Sequence, residues 1–267
     1  GGFGGIGRDR RAVLRDAALL AVGAGVGAIG IGQLGAVATT RRRVGAGSAA
    51  TDVDVQVTPD RSRLVLTWEV RTDQRLIALT FDDGPRPKWT NMVLDTLDRY
   101  QAPATFFMVG RRVRKYASVI RGRLDRHEVG NHTWDHRDLA LRDDVQARSD
   151  LLRAHEAITE VTGREPVLFR PPYGHIGGAA ALAATGFGYK VVLWSQKMRE
   201  AHYDTRHQVA AVLREATPGT ILLAHDVGDA ARLVSLRGLP GMITGLRDCG
   251  YEFVTVSELM GRARPEV

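Results

Sequence analysis

An apolar run over residues 76–81 stops abruptly at Asp82, Asp83, Gly84 and Pro85. Strands end this way when they deliver side chains into a pocket, and the Gly-Pro pair turns the chain at once. Other short buried runs end on polar residues in the same manner: 167–169 stops at Arg170, and 221–224 stops at His225. A further buried strand covers 105–109. Between these runs lie stretches with helical spacing. Residues 91–100 turn Val93, Leu94 and Leu97 inward behind a Thr90 cap. Residues 143–162 carry Ala147, Leu151, Ala154, Ile158 and Val161 before Gly163 ends them. Shorter helices are expected over 178–185, 209–216 and 239–249. A strand over 64–70 pairs beside the sheet, another covers 190–195, and a last strand over 251–256 leads to a turn capped by Ser257. Repeated strand–helix units imply a parallel sheet or barrel with functional residues at the strand C-termini.

The polar residues at those ends have a chemical logic. Adjacent acids repel, so Asp82 and Asp83 are explained best by a cation, or by a division into one base and one ligand. The alternative is a polar turn with a capping Asp. His132 and His136 stand at i and i+4, which on a helical turn puts both imidazoles on one face, close enough to share a metal. Two histidines and one carboxylate, with Asp83 as the third ligand, leave a zinc-like site open for water and substrate. Asp82 is then free to act as general base. Arg170, with Pro171 and Pro172 fixing the backbone behind it, can hold a carboxylate ionised and oriented. His225 at its strand end is the general-acid candidate. His155, on the long helix, has no partner in this pattern and reads as structural.

The four motifs, Thr80–Pro85, His132–His136, Arg170–Tyr173 and Leu223–His225, occur in this order. With the flanking 104–110 and 127–131, they resemble the polysaccharide deacetylase family, also called the NodB-homology domain or carbohydrate esterase family 4. The resemblance covers about 76–259. It implies a distorted (β/α) barrel, one divalent metal and hydrolysis of N- or O-acetyl groups on a glycan. Zinc comes first for that metal, with cobalt or nickel open. Residue by residue it implies Asp82 as base; Asp83, His132 and His136 as metal ligands; and Arg170 as the residue that orients the base. It also implies Tyr173 as the source of an oxyanion N–H, Leu223 and Trp194 as walls of the substrate site, and His225 as acid. One segment departs from the family. An Asp usually follows the strand before the last motif and pairs with the acid histidine, but Lys197 stands about there. Glu200 and Asp204 are the nearest carboxylates that could replace it. A catalytically inactive glycan-binding module on the same fold is the alternative reading, and a metal-independent amide hydrolase is a further rival.

The chain has 267 residues and a formal charge of +7, but the charge is unevenly placed. Residues 1–43 hold seven arginines and two acids, a net of +5, which leaves +2 for the rest. Nucleic-acid binding is therefore not read from the high pI. The pair Arg10-Arg11 opens what resembles a twin-arginine export signal, and residues 17–40 carry no charge and six glycines. That suits an export segment with cleavage after Ala38. An uncleaved membrane anchor facing outward is the alternative. The expected division is 1–43 export signal or anchor, 44–75 linker and accessory strand, and 76–267 deacetylase domain. The single cysteine, Cys249, excludes an intramolecular disulfide framework.

Overall fold

The structure, a computed structural model, describes residues 63–198, 204–228 and 230–264, which belong to one compact unit, Ala50–Val267. The expectations for the export segment, the cleavage point and Glu200 lie outside the described residues. No helix among the described residues is long and apolar enough to cross a membrane.

A nine-stranded parallel sheet forms the framework. At its centre is β2 (Leu76–Asp82), buried at every residue. A strand that is apolar on both faces belongs in the middle of a covered parallel sheet. Here β3 (Thr105–Met108) and β9 (Glu252–Val254) share one edge of β2, while β8 (Thr220–His225) runs along the other. Outward from β3 come β4 (Glu128–Asn131), β5 (Leu168–Phe169), β6 (Lys190–Val192) and β1 (Val65–Thr67).

The sheet curls because its two far sides are one stretch of chain. β6 pairs with β5, and β7 (Gln196–Lys197), just beyond it, pairs with β8. Across the break Ser195 N–H donates to Ile221 O at 3.2 Å, and Met198 N–H donates to Leu223 O at 2.9 Å. The expected strand over 190–195 is thus shorter and interrupted, and the interruption closes a distorted barrel. β1 packs into the seam, on the outer edge of β6, and Val70 N–H just after it donates to Gly219 O at 3.1 Å. Gly219 has φ 87°, and a Cβ there would lie 1.7 Å from Val70 O. Only glycine permits that approach.

Side chains alternate across β2 as a pleat requires. Ile77, Leu79 and Phe81 face the helices, packed in one cluster with Leu94, Leu97, Leu239 and Ile243. Leu76 and Ala78 face inward with Phe107, Leu168, Val192 and Ile221. Among the helices, α4 (Asp144–Thr162) begins and ends as expected: Asp143 accepts from Gln146 N–H at 2.7 Å, and Gly163 holds φ 69°. α1 (Trp89–Tyr100) differs. Its N-cap is Lys88, and Thr90 is buried inside the first turn. The Thr90 hydroxyl accepts from Arg86 N–H and donates to Asp226, each at 2.7 Å, so it ties the helix to the site instead of capping it. α7 (Ala230–Asp248) starts well before residue 239 and runs through Pro240, because Leu236, Leu239, Met242, Ile243 and Leu246 form one continuous buried stripe. α6 (Thr205–Glu215) also starts earlier than expected, and the terminal α8 (Val256–Met260) is capped by Thr255 with a Glu258 capping box, not by Ser257.

Candidate active site

The C-terminal ends of β2, β4, β5 and β8 converge. They bring together Asp82, Asp83, His132, His136, Arg170 and His225. Asp82 and His225 are register partners on adjacent strands.

Arg170 is completely buried, and each of its side-chain nitrogens donates a hydrogen bond. Nη1 donates to Asp82 Oδ1 at 2.7 Å and to Thr80 Oγ1 at 2.8 Å. Nε donates to Val192 O at 3.0 Å, and Nη2 to Leu193 O at 2.8 Å. Its plane lies 4.0 Å from the centre of the Phe107 ring. Burial pulls the guanidinium below its usual pKa, and the Asp82 carboxylate offsets that pull. This is the planar, many-donor seat in which arginine differs from lysine.

The backbone of Arg170 does a second job. Its carbonyl oxygen lies 2.6 Å from His132 Nδ1. A carbonyl can only accept, so Nδ1 carries the proton and Nε2 is left with a bare lone pair. His132 is buried, and burial lowers its pKa, opposed by the Asp82 and Asp83 carboxylates. Its Nε2 faces Asp83 Oδ1 at 3.7 Å and Asp82 Oδ2 at 3.8 Å.

His132 and His136 are not on a helical turn. They sit on a bent loop after β4 in which Thr133 has φ 69° and His136 has φ 65°. Asn131 Oδ1 accepts from Thr133 N–H at 2.8 Å, and Thr133 Oγ1 accepts from His136 N–H at 3.0 Å. These left-handed residues fold the loop back until the two rings lie 5.0 Å apart.

Asp83 also departs from strand geometry, with φ 80°, and so turns its carboxylate toward the histidines. Its Oδ1 is buried and lies 3.0 Å from His136 Nε2, with no other partner among the described residues. One ligand atom from each of Asp83, His132 and His136 falls within 4.8 Å of the others. Two imidazole nitrogens around a buried carboxylate oxygen form an arrangement that a divalent cation completes. Burial alone would raise the Asp83 carboxyl. The His136 and His132 rings, with His225, outweigh it and hold the group well below the usual carboxylate range.

Three charged residues around Asp83 escaped the motif reading. Arg232, from the start of α7, donates to Asp83 Oδ2 at 2.7 Å. Arg112, on α2 (Gly110–Lys115), donates to the Asp83 carbonyl at 2.6 Å. Asp226 is fully buried behind the loop. Its Oδ2 takes the Thr90 hydroxyl, and its Oδ1 has no partner. Burial, with the Asp83 charge added, pushes the Asp226 carboxyl up to about 7.

The remaining expected residues line the same opening. Tyr173 is exposed, holds φ 62°, and sets its ring 4.9 Å from that of His136. Leu223 is buried opposite Thr80. Trp194 covers Arg170 at 5.8 Å and stands so close to Gly174 that a Cβ there would meet the indole at 2.9 Å. Lys197 is exposed at the end of β7. Asp204 does not face His225: it caps α6 through His207 N–H at 2.9 Å and holds the His207 ring at 2.9 Å. His155 lies away from the site, its Nδ1 2.7 Å from the Tyr189 hydroxyl.

Comparison with known proteins agrees with this architecture. The family model described as polysaccharide deacetylase matches residues 69–192. A peptidoglycan-N-acetylglucosamine deacetylase of Bacillus cereus is 41% identical over 199 residues, which is 73% of this chain and 92% of that protein. The PgdA peptidoglycan-N-acetylglucosamine deacetylase of Listeria monocytogenes is 34% identical over 214 residues; the match takes in 79% of this chain but only 44% of that longer protein. Among solved structures, the Bc1960 peptidoglycan N-acetylglucosamine deacetylase superposes with a TM-score of 0.70 at 27% identity, covering 74% of this chain and 95% of that one.

Proposed function

Because the chain belongs to the polysaccharide deacetylase family, we propose that the cluster at the end of β2 removes acetyl groups from a peptidoglycan strand outside the membrane. The observation that carries this reading is the pairing of two sites in contact: an open set of three ligand atoms within 4.8 Å, and a buried Asp82–Arg170 pair at 2.7 Å beside it. Asp83, His132 and His136 hold one divalent ion, for which zinc is the first choice and cobalt or nickel the alternatives. Such an ion supplies a lowered pKa to the attacking water and polarises the acetyl carbonyl.

The chain's own residues do the rest. Asp82 Oδ1 is pinned by Arg170, which leaves Oδ2 aimed toward the ligand set to take the water's proton. Arg170 acts on Asp82 rather than on substrate, since it is completely buried and all three of its side-chain nitrogens donate inside the barrel. The turn at Tyr173 presents a backbone N–H to the developing oxyanion. Leu223 and Trp194 form the apolar wall against the acetyl methyl. His225 returns a proton to the leaving nitrogen or oxygen.

Acetate release from peptidoglycan, N-acetylglucosamine oligomers and acetylated xylan tests the proposal. Peptidoglycan is expected to react fastest, chelation to stop the reaction, and zinc or cobalt to restore it. Full activity in a chelated, metal-free sample would overturn the proposed ligand set. A preference for acetylated xylan would overturn the proposed substrate.

A further inference from the structure

Outside the catalytic opening, the loop that carries His132 and His136 forms a second concavity against α4. It encloses about 300 Å³ between Trp134, Arg137 and Arg142 on one side and Asp150 and Arg153 on the other. That is enough for one sugar ring or its acidic substituent. We propose that this cleft is a subsite for a carboxylate carried by the unit next to the acetylated sugar, an inference that rests on the glycan-deacetylase reading.

The charge distribution argues for an anion. Asp135, beside Arg137 in the loop, pairs with it, Oδ2 to Nε at 2.7 Å, so that arginine is compensated. Asp150 Oδ1 accepts from Trp134 N–H, and burial raises the Asp150 carboxyl above its usual range. Asp150 is thus engaged in shaping the loop, and Asp135 is engaged through Oδ2, while its buried Oδ1 has no hydrogen-bond partner among the described residues. Arg142 and Arg153 form no ion pair among the described residues, and both line the cleft. Three arginines, Arg137, Arg142 and Arg153, against two acids, Asp135 and Asp150, leave the lining with a net positive charge, which favours an anion.

The geometry argues for a carboxylate. The Arg153 guanidinium carbon lies 4.2 Å from the centre of the Trp134 ring, and Arg114 approaches the same indole at 5.5 Å. Stacking uses the face of a guanidinium and leaves its N–H edge for an acceptor. An edge held in one orientation suits the paired oxygens of a carboxylate, which accept in parallel from such a fork. The cleft is also coupled to the site by the chain itself. Trp134 and Asp135, which wall the cleft, stand between His132 and His136 on one loop, so the cleft and the ligand set share that loop. A neutral chitin-like strand offers Arg142 and Arg153 nothing of equal strength. An acidic strand does, whether the carboxylate sits on the sugar or on a short peptide attached to it.

The test compares kcat/KM on an N-acetylglucosamine oligomer, on a peptidoglycan oligosaccharide of equal length with free carboxylates, and on the same oligosaccharide with those carboxylates amidated. The acidic substrate is run with and without its peptides, which separates the two sources. Wild type is expected to prefer the acidic form. Arg142→Gln combined with Arg153→Gln should lower kcat/KM on it by roughly 10–100-fold, mostly through KM, as expected for loss of charge-assisted hydrogen bonds. Rates on the neutral and amidated substrates should be unchanged. Arg142→Gln alone, away from the Trp134 stack, should lose about tenfold on the acidic substrate. An acidic preference that survives the double substitution, or an equal loss on all three substrates, overturns the subsite. Calorimetric binding of the acidic oligosaccharide to wild type and to the double variant decides the question without turnover. A wild type that binds through these arginines but releases acetate from nothing would sink the deacetylase reading and leave the subsite standing.

Discussion

The two walls of the site are built on different terms. The wall from β2, β4 and β5 is dry. Asp82, Asp83, His132 and Arg170 are all buried there, and Arg170 alone binds two strand carbonyls, a hydroxyl and the proposed base. The wall from β7 and the start of α6, beyond the end of β8, is wet. β7 is only two residues long, Lys197 is exposed, and Asp204 is turned outward to His207. The difference shows where substitution is tolerable. A carboxylate in a dry wall needs its counter-charge built in, because water cannot supply one. A residue in the wet wall can lose its usual partner and be solvated instead. The altered fourth motif, with Lys197 near a position that the family usually gives to aspartate, falls in the wet wall.

Breaking the dry wall should have the largest consequences. Asp82→Asn keeps an oxygen for Arg170 to bind, so the fold and the ligand set should survive. The rate should fall on the order of 10²–10⁴-fold, the usual cost of losing a general base. Acetate release and metal content measured on the same sample check this. If Asp82→Asn lost the metal while Asp83→Asn kept it, the two roles would have to be exchanged.

Arg170→Met removes the counter-charge itself. Asp82 Oδ1 and the carbonyls of Val192 and Leu193 would be left buried without donors. Breaking one side of a buried pair costs about 3–5 kcal/mol. Lys197→Met in the wet wall should stay within about 0.5 kcal/mol, as surface substitutions usually do. Urea unfolding of the two variants measures the contrast directly, and similar losses in both would erase it.

Much of the dry wall was legible in the chain. The unbroken apolar run of β2, the carboxylate pair after it and the Arg170 strand end all follow from local pattern, because a fully buried strand has little freedom in composition. The i, i+4 spacing of His132 and His136 pointed to two rings that the structure does bring together, but by another geometry: left-handed Thr133 and His136, not a helical turn. Contacts made across the barrel were not legible. Arg232 meets Asp83, and Thr90 meets Asp226, across 149 and 136 positions of sequence, and no local period encodes such a meeting. Thr90 looked like a cap because threonine before an apolar helix usually is one. Pro240 hid the first part of α7 because proline more often opens a helix than interrupts one.

Asp226, just past β8, sharpens the comparison, since it is a fully buried carboxylate with no ion pair among the described residues. Its folded pKa is raised to about 7 from an ordinary 3.8. Below pH 4 it is protonated whether folded or unfolded and costs nothing. As the pH rises from 4 to 7, the unfolded chain ionises it while the folded chain holds the proton, so stability falls across that window. Asp226→Asn should remove this slope and make the protein more stable than wild type at pH 8, with little difference at pH 4. Thermal unfolding of both proteins over pH 4–8 measures it. Parallel curves would mean that Asp226 is ionised in the folded protein and compensated by the arginines around Asp83.

The smallest effect should come from the wet wall. Asp204 caps α6 through His207 N–H and holds the His207 ring, and its own side chain is 66% exposed. Asp204→Asn can still accept the capping hydrogen bond, so the helix should keep its start. If His225 serves as the acid without help from this loop, Asp204→Asn should leave kcat, KM and the alkaline limb of the rate profile unchanged. A shift of the alkaline limb to lower pH would show that Asp204 reaches His225 during turnover, and the wet wall would then share in tuning the acid. The separation between a built-in dry side and a solvent-served wet side would hold for the folded chain but fail for the working one.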